Sequence, residues 1–127
     1  MTTLTPDQLA ALLRASAEGY YAHEAATRLI CGHRSLLARA DFLAACVEYD
    51  HDGTAPVAWI DWTAVVDFAT HGPLSGSEAR ILRLAAELAG HDTAVPLGDL
   101  LTGLDDDNSR LVMDAIAHAL HTGDGRR

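Results

Sequence analysis

Asp114, His118 and His121 stand at i, i+4 and i+7 near the end of the chain, the spacing that projects three side chains from one helix face. Histidine and carboxylate together are metal-ligand chemistry. The helix repeat limits what these three do alone: Asp114 and His121 lie about 10.5 Å apart along a helix axis, too far to meet at one ion with bonds of about 2 Å. A metal site here needs His118 and His121 plus a ligand from another helix, with His23, Glu24 or Cys31 as the candidates. The alternative is structural, because histidines in a last turn favour the negative helix end and pair with acids when protonated. That alternative is adopted: no metal ligand and no catalytic residue is assigned, and no cofactor is expected.

Asp50-His51-Asp52-Gly53-Thr54 offers oxygen ligands at alternating positions, as the start of an EF-hand calcium loop does. Counted from Asp50, the sixth position is Ala55 where the loop needs glycine, and the twelfth is Asp61 where it needs a bidentate glutamate. A polar turn is the reading taken. Nucleophilic chemistry has less support, since no Gly-x-Ser-x-Gly elbow and no glycine-rich phosphate loop occurs. All nine basic residues are arginine, so a Schiff base and a P-loop lysine are both excluded.

Helix punctuation positions these residues. Thr5-Pro6-Asp7-Gln8 is a capping box with proline at the first helical position, and Leu9, Leu12, Leu13, Tyr20, Leu29 and Ile30 continue from it to a stop at Gly32, with a kink or break near Tyr20 allowed by Gly19. Leu36, Ala40, Leu43 and Val47 predict a second helix over 35–49, ended by Asp50 to Pro56. Trp59 and Ile60 are a short extended lead into a third helix capped by Asp61; at most Val57 to Ile60 is strand. Ser75-Gly76-Ser77-Glu78 is a second capping box, opening a helix that ends at Gly90. Leu97 to Thr102 and a last helix from Asp105-Asp106-Asp107-Asn108 to about His121 follow, the latter with Leu111, Val112, Ala115, Ile116 and Ala119 facing inward.

The expected fold is therefore all-α: a compact bundle of five or six helices in a single domain over 1–127, with a helical hairpin at 1–49, a helical body at 59–122 and a frayed tail at 123–127. Cys31 and Cys46 fall roughly 18 Å apart in this arrangement, beyond the 7 Å or so that a disulfide spans, and are expected as free thiols. No stretch approaches the roughly 20 apolar residues of a membrane helix, and the first residues lack a signal peptide's basic start and apolar run, so a cytoplasmic protein without membrane contact is expected.

Residues 74–120 carry a helix, a loop, a short helix with Leu97, Leu100 and Leu101, a turn through Gly103-Leu104, and a longer helix with Val112 and Ile116. That order resembles the trihelical core of winged-helix and helix-turn-helix regulators. The resemblance implies a recognition helix, yet its first residues here are Asp105, Asp106 and Asp107, which would turn three carboxylates toward the major groove. Nucleic acid is an unfavoured partner on that ground.

Charge points the same way. The net charge is −9, split as +1 over residues 1–40 and −10 over 41–127. Such a dipolar molecule suits self-association or a basic partner. Among surface anchors, Trp59 and Trp62 flank a helix start, Tyr20 and Tyr21 are adjacent, and Leu9, Leu13 and Tyr20 fall on one stripe of the first helix. The expected function is a non-catalytic, acidic helical protein working through contact with another protein or a second copy, with Leu9, Leu13, Tyr20, Tyr21, Trp59 and Trp62 as the interface. The alternatives are a metal-dependent enzyme or metal-binding protein using the C-terminal histidines, and a degenerate helix-turn-helix regulator.

Overall fold

A computed structural model describes residues 4–121 of the chain. Its first helix, α1 (Pro6–Ala17), begins as its sequence dictates: Thr5 Oγ1 accepts the Gln8 N–H at 3.1 Å, and Gln8 Oε1 accepts the Thr5 N–H at 2.9 Å. The expected run to Gly32 is broken near Tyr20, where Gly19 allows it. Gly19 takes φ +108, which an L side chain resists, and Tyr20 becomes the extended N-cap of α2 (Tyr21–Gly32). The break lets α1 fold back on α2. On α2, Ala25, Ala26 and Ile30 are wholly buried, and α1, α6 and α8 all pack against this helix.

The second expected helix is corrected more thoroughly. In place of one helix over 35–49 there are α3 (Arg34–Leu37), α4 (Ala40–Cys46) and a strand, β1 (Val47–Asp52), paired antiparallel with β2 (Ala55–Ile60). Two forces divide it. Arg39 is drawn out of helical geometry (φ −91, ψ 115) as its guanidinium forks onto Asp41 at 2.8 and 3.0 Å and reaches Glu78 at 3.0 Å. At the other end Val47 turns extended because Gly53, at φ +65, allows the two-residue turn that folds β1 onto β2. The fold is thus mostly helical with a small two-stranded sheet, and the described residues hold eight helices where five or six were expected.

The remaining helices start where the capping residues place them. Asp61 caps α5 (Trp62–His71), a reciprocal Ser75–Glu78 box caps α6 (Gly76–Leu88), α7 (Leu97–Leu101) follows Pro96, and Asp105 accepts the Asn108 N–H at 2.8 Å to open α8 (Asp106–Ala119). Phe42, Leu29, Leu36, Val65, Ile81 and Leu82 form the centre of the core. Phe42 meets Phe68 edge-on, with ring centroids 5.9 Å apart. Within the described residues no helix is long and apolar enough to cross a membrane. The tail expected at 123–127 lies outside the described residues.

Candidate functional site

The seam between α2 and α8 gathers a set of polar and aromatic contacts. His118 Nε2 lies 2.7 Å from Glu24 Oε1, and both side chains are 13% exposed. Glu24 also uses Oε2 to accept the Gly19 N–H at 2.9 Å, so one carboxylate ties the α1–α2 break to α8. Further out, Arg28 donates to Asp114 at 3.0 Å across the same two helices, and the Tyr21 ring packs against the rings of His118 and His121. A cavity of about 540 Å³ opens beside the seam, walled by Arg14, Glu18 and Arg28 with Ala11 and Ala15.

Asp114, His118 and His121 therefore diverge, to Arg28, Glu24 and Tyr21 respectively. Among the described residues no three of His, Cys, Asp and Glu come together in a way that could hold a metal ion. Cys31 lines a different cavity, of about 560 Å³, with Asp7 and Arg14. Burial raises the Cys31 thiol pKa, with Arg14 pulling weakly the other way; burial, with Asp61, Asp67 and Asp41 adding repulsion, pushes Cys46 up to about 12. Both thiols are free and buried. At neutral pH neither supplies a thiolate nucleophile. The residues compared with a calcium loop spread along the hairpin instead, with Asp50 and Asp52 in β1 and Asp61 capping α5.

The expected interface residues separate into two groups. Leu9 and Leu13 are 2% exposed and Trp62 is 8%, so this part of the expected surface is corrected to core. The physical reason is that α1 has one apolar stripe, and the monomer needs it. Tyr20, displaced from the stripe by the break at Gly19, is 73% exposed; Trp59, at 41%, stands on the hairpin, and Tyr21 is half-buried in the seam.

Sequence reasoning missed five of the eight exposed large hydrophobic residues, those between Leu97 and Leu120. Met113 (70%), Ile116 (37%) and Leu120 (68%) line the outer side of α8, and Leu97 and Leu101 are exposed on α7. Ile116, expected inside, faces out. The signal was present, because the 113, 116, 120 series runs at intervals of three and four on a different face from the buried Val112 and Ala115. The chain matches no protein-family model, no curated protein and no solved structure.

Proposed function

We propose that the protein is a non-catalytic contact module and that two copies meet along the outer face of α8. The observation carrying this reading is that Met113, Ile116 and Leu120, spaced three and four residues apart along one line of α8, are all exposed. Exposed apolar residues concentrated in this way mark contact surfaces, whereas scattered single ones need no explanation. Ser109, Met113, Ile116 and Leu120 follow one another at intervals of four, three and four, the seam of a coiled-coil helix pair. Charge selects the orientation. A parallel pair would set Asp105, Asp106 and Asp107 against their own copies; an antiparallel pair separates them and brings each acidic start toward the other copy's C-terminal end, near His121. That arrangement is also a closed two-fold, in which Met113 of one copy faces Ile116 of the other.

In this reading α6, α7 and α8 are a helix-turn-helix-like scaffold that presents the face. Asp106 and Asp107, exposed in the first turn of α8, argue against use of that helix on DNA. The Glu24–His118 pair fixes α8 in place and is not assigned a reaction.

Sedimentation equilibrium at tens of micromolar tests the proposal. Wild type is expected to be dimeric, with a dissociation constant on the order of micromolar for so narrow a contact. Met113→Glu is expected to be a folded monomer, its circular dichroism unchanged because the side chain it replaces is exposed. A monomeric wild type would end the proposal.

A further inference from the structure

The β-hairpin is a second surface, independent of α8. Its register sets Glu48 opposite Trp59, Asp50 opposite Val57 and Asp52 opposite Ala55. Because side chains alternate along a strand, these six share one face, while Val47, Tyr49, Ala58 and Ile60 take the other. The second face meets the body: Val47, Ala58 and Ile60 are buried. The first is turned to solvent, with Glu48, Asp50, Asp52 and Trp59 all exposed.

The two edges of the hairpin differ as well. On the β2 side, α1 closes the edge, and Ser16 Oγ donates to the Ala58 carbonyl. No further strand pairs with the β1 side among the described residues. The Asp61 N–H reaches the Cys46 carbonyl at 2.8 Å, which sets the phase of the ladder and directs both the N–H and the C=O of Tyr49 outward. The His51 N–H, which the same phase also turns outward, is held by Asp50 Oδ1 at 2.8 Å.

We infer that this free edge, with the Glu48–Trp59 face beside it, docks an extended, arginine-bearing segment of a partner protein as a third strand. Main-chain bonds to Tyr49 and to the neighbouring carbonyls supply the pairing, as in other strand additions. Side chains supply the selection. A residue beside Glu48 on the new strand extends over the acidic face, where a guanidinium stacks on the Trp59 ring and forks onto a carboxylate; the next alternate positions fall beside Asp50 and Asp52. Arginine suits this better than lysine because its planar group does both at once. A second copy is the wrong occupant for this edge, since antiparallel β1 strands would bring Glu48, Asp50 and Asp52 against the same acids. The net charge of −9 draws a basic segment in.

The test uses the full chain and a labelled peptide, Arg-Thr-Arg-Val-Arg-Thr, followed by fluorescence anisotropy. Saturable binding is expected, weakened about tenfold by Glu48→Lys, several-fold by Trp59→Ala and several-fold by lysine in place of arginine in the peptide. Two peptides N-methylated on alternate residues carry the decisive comparison. Methyl groups on the edge-facing amides should abolish binding, and those on the outward amides should leave it intact. Equal binding of both would reduce the site to an acidic patch and overturn the inference, as would no binding of the parent peptide. Met113→Glu should bind the peptide as wild type does, so failure of the α8 dimer and failure of this site are read separately.

Discussion

Phe42→Ala is expected to remove about 3–5 kcal/mol of stability, the range for deleting a buried aromatic ring. Phe42 is wholly buried, and its edge-on contact with Phe68 joins α4 to α5. Helix α4 has only seven residues, too few to persist on helix propensity alone, so its place depends on this anchor. A whole domain is stable by about 5–15 kcal/mol, so this single substitution should remove a large share of the total. Denaturant titration followed by circular dichroism measures the effect as a fall in midpoint. A loss below about 1 kcal/mol would mean that the core collapses around the vacancy, contrary to the packing described.

Glu24→Ala is the second large effect, expected at about 1.5–3 kcal/mol for loss of hydrogen bonds to a charged group at a poorly solvated site. The substitution strips His118 of its 2.7 Å partner and the Gly19 N–H of its acceptor. The first turn of α2 thereby loses its tie to the α1–α2 break and its tie across the seam to α8. Glu24→Gln keeps an acceptor oxygen and should recover about half of the loss. Since the α8 face is only as rigid as the seam beneath it, Glu24→Ala should also weaken self-association, while Glu24→Gln changes it less. Equal midpoints for wild type and Glu24→Ala would show that the carboxylate does not hold the seam.

The legible parts of the fold were those decided locally. Thr5 with Gln8 and Ser75 with Glu78 announce capping boxes whose partners are three residues away, Asp61 caps its helix as expected, and the last helix starts within the expected Asp105 to Asn108 stretch, with Asp105 as its cap. The hairpin was not legible in the same way. Ala44, Ala45 and Cys46 continue a helical pattern into Val47, and the Asp52-Gly53 turn reads equally as a helix-ending loop. What decides in favour of strands is distant: β2 packs on α1, and Ser16 bonds the Ala58 carbonyl 42 residues away. For the surface, Leu9 and Leu13 misled because a helix with one apolar stripe spends it on its own core. Met113, Ile116 and Leu120 were hidden because α8 carries two stripes, and only packing against α2 and α6 shows which one remains outside.

Self-association along antiparallel α8 helices is the central claim, and distances between spin labels on the two copies test it most directly. Asp106→Cys, one heptad before Met113 at the polar start of the seam, and Arg110→Cys, beside the seam, each place a label at an exposed position, while the buried Cys31 and Cys46 thiols, both raised in pKa, stay unlabelled in the folded protein. In an antiparallel pair each residue toward the helix start adds about 3 Å of axial separation between copies, so four residues add about 12 Å. The result predicted is a pulsed dipolar distance between copies that is clearly longer for residue 106 than for residue 110. Equal distances at the two positions, or no intermolecular dipolar signal at tens of micromolar, would contradict the account.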